Sequence, residues 1–125
     1  MADTAHTYED DLRRLRESSA DALLQRYEEK VTAYRNHYRK TMADAFESIL
    51  EVEIAHRLGD NALVEESKGQ AIVNLEEADM AKAKYEDYER RLAALEALLD
   101  EEDGLENAFA RLLHTDDDVN AGIEG

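Results

Sequence analysis

The chain contains no cysteine, no proline and no tryptophan, and glycine occurs only five times. Each absence removes a class of protein. Without cysteine there is no disulfide framework, no thiol nucleophile and no zinc ribbon. Without proline, nothing forbids long uninterrupted helices. Aromatic residues make up only 6%, six of them tyrosine and two phenylalanine, while charged residues reach 37%. Little apolar material remains for a thick core, and thin helical layers are the economical way to bury what there is. No run approaches the roughly 18 apolar residues that a membrane span needs, so no membrane partner is expected. Met1-Ala2-Asp3-Thr4 lacks the basic and apolar blocks of a signal peptide, which predicts a soluble protein not secreted by the classical route.

What is present in excess is acid. The formal net charge of −16 would repel a phosphate backbone, so nucleic acid is not expected as the main partner. Arginine outnumbers lysine by ten to five. Much acid with little lysine suits a salt-loving host, and an acidic coiled coil from an ordinary host has the same composition.

At 125 residues the chain has the length of one domain. Apolar residues recur along Leu12, Leu15, Ser19, Leu23, Tyr27, Val31, Tyr34, Tyr38, Met42, Ala45, Ile49, Val52 and His56. The mean step is about 3.7 residues, the period of a nearly straight α-helix. Ser18 and Asp21 resemble a capping box and mark the one place where this helix could break. Leu58-Gly59-Asp60-Asn61 is the clear turn: Gly59 can take the left-handed conformation, and Asp60 or Asn61 can cap the second helix. That helix ends in a heptad of Tyr85, Tyr88, Leu92, Leu95 and Leu99. Gly69 inside it costs about 1 kcal/mol against alanine, which predicts a packing reason. After Asp100–Gly104, Leu105, Ala108, Phe109, Leu112 and Leu113 share one face of a short third helix.

The expected fold is therefore all-α: a long antiparallel helical hairpin with a short third helix and an extended acidic C-terminal tail. Helices are predicted at about 8–57, 62–100 and 105–113 within a single domain over 1–114, followed by the tail at 115–125. So short a turn makes the long helices antiparallel neighbours, with facing residue numbers summing to about 120. That register places Ile49 opposite Ala71, Met42 opposite Ala78, Tyr34 opposite Tyr85 and Leu24 opposite Leu95. Gly69, Ala71, Ala78 and Ala81 would let the backbones approach closely.

The tip is too apolar for a hairpin alone. Ten of the 17 residues from Met42 to Leu58 are apolar. Phe46, Leu50 and Ile54 form a second stripe beside the seam, and Ile72, Val73 and Leu75 do the same on the other helix. A helix apolar on two faces is buried on two faces. Phe46, Leu50, Ile54, Ile72 and Val73 are thus the candidate surface for a second copy of the chain, and Val119 and Ile123 the candidate docking residues of the tail.

Motifs for chemistry are sparse. Glu53 and His56 form a Glu-x-x-His pair, which on one helix face can supply two metal ligands, as in di-iron bundles. Such sites need further carboxylates and a second pair, so His56 reads as the end of the stripe and no metal or cofactor is expected. Arg35-Asn36-His37-Tyr38-Arg39-Lys40 is a basic island, and the hairpin register sets it against Glu86, Asp87 and Glu89. No Gly-rich phosphate loop and no nucleophile–base motif occurs, and the chain is not expected to be an enzyme.

Ala45-Phe46, Leu50, Ile54-Ala55, Leu58-Gly59-Asp60, Leu63, Leu75, Ala78 and Ala81 together resemble the helical hairpin of the head–tail connector (tail adaptor) proteins of tailed viruses. The likeness covers residues 45 to 81. It implies a virion structural protein: a ring of copies docked to a portal or tail protein, with the tip patch between subunits and the tail as a docking strand. Two other classes fit the residues. One is a cellular, cytoplasmic coiled-coil interaction or scaffolding module, and the other is a ferritin-like metal-binding helical protein.

Overall fold

The computed structural model describes residues 2–112, with side chains from residue 7 onward. Helix α1 runs Ala2–Leu58 and helix α2 Asn61–Asp100, and a short helix α3 covers 104–112. The fold is an all-α arrangement with a long antiparallel hairpin, as the spacing predicts. Helix α1 begins before the expected start at residue 8 and passes unbroken through Ser18–Asp21. The Ser18/Asp21 pattern is overridden because the helix-favouring run continues on both sides of it. The acidic tail and its candidate residues Val119 and Ile123 lie outside the described residues.

The turn is built as its residues dictate. Gly59 sits at φ +68°, the left-handed conformation that ends a helix. Its N–H donates to the His56 carbonyl at 3.1 Å, and the Asp60 N–H donates to the Ala55 carbonyl at 3.0 Å, a Schellman pair. Asp60 then starts α2. Its Oδ1 accepts the Leu63 N–H at 3.1 Å, and its carbonyl accepts the Val64 N–H at 3.0 Å. Two residues close one helix and open the next.

Contacts group the chain into two compact units, Tyr27–Arg90 and Met1–Arg26 with Arg91–Gly125. In Tyr27–Arg90 the buried residues of α1 are Val31, Thr41, Ala45, Ser48 and Ala55. Those of α2 are Val64, Ser67, Ala71, Asn74, Ala78 and Ala81. Thr41, Ser48 and Ala55 repeat every seven residues, as do Val64, Ala71 and Ala78, and Ser67, Asn74 and Ala81. This is the repeat of a left-handed coiled pair, and it corrects the straight 3.7-residue stripe. The correction moves Ile49 and His56 out of the seam, where Ser48 and Ala55 take their places. Small residues on both helices let the backbones close up, and an isoleucine at Ile49 would hold them apart.

The seam changes character away from the turn. Tyr34 stacks on Tyr88 with centroids 5.9 Å apart, Tyr27 tilts against Tyr88 at 5.9 Å, and Tyr38 meets Tyr85 edge-on at 5.7 Å. Tyr34 therefore pairs with Tyr88, one turn from the expected Tyr85. The aromatic rings keep the helices packed where small residues give way to large ones.

In the other unit, Ala20 and Leu95 are buried, and Leu12, Leu23, Leu24, Leu92, Leu98, Leu99, Leu105 and Ala108 are half-buried. Asp103 carries the positive φ, 56°, that turns the chain into α3. Gly104 is buried, and a Cβ there would lie 2.2 Å from the Leu98 carbonyl oxygen. Arg16 lies over the Phe109 ring at 5.9 Å and reaches Glu106 at 3.8 Å. An open apolar groove of about 230 Å³ is lined by Ala20, Leu23, Leu95, Leu98, Leu105 and Phe109.

Candidate assembly surface

The small-residue seam of Tyr27–Arg90 leaves the large apolar side chains outside it. Phe46, Ile49, Leu50, Ile54, Leu58, Ile72, Val73, Leu75 and Met80 are all exposed. The five residues singled out from sequence, Phe46, Leu50, Ile54, Ile72 and Val73, are each more than half exposed.

Their arrangement follows from the seven-residue repeat. Arg35, Met42, Ile49 and His56 occupy one flank of α1 at seven-residue intervals, and Lys68, Leu75, Lys82 and Glu89 one flank of α2. The Arg35–Glu89 ion pair joins these two flanks, so they lie on the same side of the hairpin. Next to them, and on that same side, come Arg39, Phe46 and Glu53 on α1, and Glu65, Ile72, Asp79 and Glu86 on α2. The opposite flanks are joined by His37 Nε2 and Glu77 Oε1 at 3.5 Å.

One face therefore carries an apolar island of Phe46 and Ile49 on α1 with Ile72 and Leu75 on α2, at the same height along the pair. Met42, half-buried, closes its lower edge, and Leu50 borders it on the outside. Ile54 and Val73 do not belong to it. A four-residue step overshoots the coiled repeat by about 50°, so Phe46, Leu50 and Ile54 wind around the helix and end on the other face. Ile49 and Leu75, which complete the island, are 45% and 36% exposed. Apolar size alone would put Ile49 in the seam. The signal that places it outside is the spacing of Thr41, Ser48 and Ala55.

The basic island is tied into the hairpin. Arg35 pairs with Glu89 and lies over Tyr85 at 5.7 Å, and Lys84 lies over Tyr34 at 5.3 Å. On the opposite face Tyr34, His37, Glu77, Met80, Ala81 and Lys84 line a shallow groove of about 200 Å³. Glu53 accepts a hydrogen bond from Arg57 Nε at 3.1 Å, and His56 is exposed beside it. Among the described residues, no three His, Cys, Asp or Glu side chains gather into a metal-binding group. Among them, too, no helix is long and apolar enough to cross a membrane.

Comparison with known proteins finds no matching family model, and no curated protein or solved structure matches the chain significantly.

Proposed function

We propose that this chain is a non-enzymatic structural subunit that works by associating with copies of itself through the Phe46–Ile49–Ile72–Leu75 face. The observation that supports this reading is the division of labour in Tyr27–Arg90. Alanine, serine and threonine hold the hairpin together, while large apolar side chains at the same height stay outside. Fully burying one such side chain is worth about 1.5–3 kcal/mol, so a folded chain that leaves four on one face forgoes much of its available stabilisation. A covering surface recovers it. The connector ring implied by the resemblance is the most specific assembly of this kind, docked to a portal or tail protein. A small coiled-coil scaffold is the other, and the copy number separates them.

The test is mass in solution. Sedimentation of the wild-type chain should give more than one copy per particle. Ile72→Asp should lower the mass to a single chain with helical circular dichroism retained, because the charge is desolvated only in the assembled state. A wild-type chain that sediments alone at high concentration overturns the reading.

A further inference from the structure

Resting on that self-association reading, we infer that the island is covered by one second copy lying with its tip at the same end, so that α1 of each chain covers α2 of the other in a two-fold, four-helix bundle. Two face-to-face arrangements are open to a pair of hairpins related by two-fold symmetry. With the axis along the helices, tips coincide and α1 lies over α2 of the second copy. With the axis across the helices, tips point apart, α1 covers α1 and α2 covers α2.

The charges bordering the island distinguish the two. Toward the aromatic end of Tyr27–Arg90, the face is basic on α1, with Arg35 and Arg39, and mainly acidic on α2, with Asp79, Glu86 and Glu89. Lys82 is the exception there, and it is drawn toward Glu86 on its own helix at 3.9 Å. Toward the turn the signs differ again, with Glu53 and His56 on α1 and Glu65 and Lys68 on α2. Laying α1 over α2 with tips together sets Arg35 level with Glu86, Glu53 level with Lys68 and His56 level with Glu65, against a single like pair, Arg39 level with Lys82. Each match occurs twice by symmetry. Phe46 then covers Ile72, and Ile49 covers Leu75.

The crossed arrangement keeps one favourable pair, Arg39 with Glu53. On α2 it sets Glu86 against Glu65 and Lys82 against Lys68. Like charges across an interface select against that partner. The apolar area exposed on the face is on the order of 400 Å² per copy, so with its charged rim a pair reaches the lower range of specific interfaces. That suffices for a dimer and leaves the second face outside it.

The chain has no cysteine, so single-cysteine variants report without background. Chains carrying Phe46→Cys are mixed with chains carrying Ile72→Cys and oxidised, with sedimentation of each variant and of wild type run in parallel. The same-end bundle predicts mixed 46–72 disulfides, with self-linking of Phe46→Cys at least about tenfold slower, since cysteines at 46 sit on opposite sides of the pair. Faster 46–46 linking in a particle of dimer mass overturns the orientation and leaves self-association standing. A particle of many copies overturns the two-fold bundle. A wild-type chain that never exceeds one copy defeats the self-association reading itself. Should either island variant fail to pair, Lys30→Cys, exposed and far from the island, carries a spin label instead. The same-end bundle puts the two labels within about 35 Å, and the opposite-end arrangement separates them by about 50 Å.

Discussion

Asn74 donates its side-chain amide to the Ser48 hydroxyl at 3.5 Å across the hairpin, and Gln70 Nε2 donates in turn to Asn74 Oδ1 at 3.1 Å. In a seam of small residues where the Thr41 hydroxyl turns back to carbonyls of its own helix, this polar pair spans the two helices and marks the register. A slide of one residue along either helix would bury the Asn74 amide without its partner, which costs about 1–3 kcal/mol. Asn74→Ala should therefore destabilise the hairpin by about 1 kcal/mol. The bond is long, so a double-mutant cycle with Ser48→Ala should give a coupling of only about 0.5 kcal/mol. Denaturant titration of the four proteins measures it. A coupling of zero would mean that register is set by the shapes of the small residues alone.

Gly69 is expected from sequence at a close approach of the two helices, and the structure places it elsewhere. An added Cβ would meet nothing within 4 Å, and the residue lies on the exposed side of α2. The gain for Gly69→Ala then comes from helix propensity alone, about 0.5–1 kcal/mol of added stability. A rise in melting temperature with unchanged particle mass is the expected result. A loss of stability would show that the position packs against something.

Gly104 is the opposite case. An added Cβ would lie so close to the Leu98 carbonyl oxygen that alanine cannot fit without moving backbone at the start of α3. Gly104→Ala should cost about 1–3 kcal/mol by overpacking. Hydrogen exchange should localise the damage to residues 2–26 and 91–112, with Tyr27–Arg90 still protected. Equal loosening in Tyr27–Arg90 would contradict the division into two units.

Glu53 and His56 are expected to bind no metal tightly. The Glu53 carboxylate is engaged by Arg57, and no third ligand side chain joins the pair among the described residues. Zinc titration followed by calorimetry should show only weak uptake, unaltered by His56→Ala. A tight equivalent per pair of chains that disappears in His56→Ala would show a site completed between copies.

The hairpin, its turn and its third helix were legible because each rests on local chemistry. Gly59 needs a positive φ, Asp60 caps α2, and no proline interrupts the long helices. The seam was only half legible. Apolar size draws Ile49 and His56 into it, whereas two helices in close contact select small side chains, and Ser48 and Ala55 fit. The difference between a 3.7-residue and a 3.5-residue repeat is small per turn, but over 40 residues it amounts to about six-tenths of a rotation. That drift also explains the candidate surface. All five residues are exposed, yet Ile54 and Val73 separate from Phe46 and Ile72 because the faces follow the coiled repeat. Division into two units was not legible, since α1 and α2 run through both without a break.

The two faces of the hairpin give the most direct test of which one functions. Phe46 and Ile54 lie on the same helix, two turns apart, and are 57% and 53% exposed. Exposure alone predicts equal effects for an aspartate at either position. Face assignment predicts different ones. Phe46→Asp places a carboxylate in the centre of the island, where assembly would strip it of water, and should weaken self-association by at least about a hundredfold. Ile54→Asp puts the charge on the face with the His37–Glu77 pair, where water remains, and should leave particle mass unchanged. Both chains should keep full helical circular dichroism, since neither residue enters the seam. Sedimentation over a range of concentrations reads the difference. If Ile54→Asp dissociates the particle and Phe46→Asp does not, the functional face is the other one. If both dissociate it, copies surround the hairpin on two sides, as in a ring.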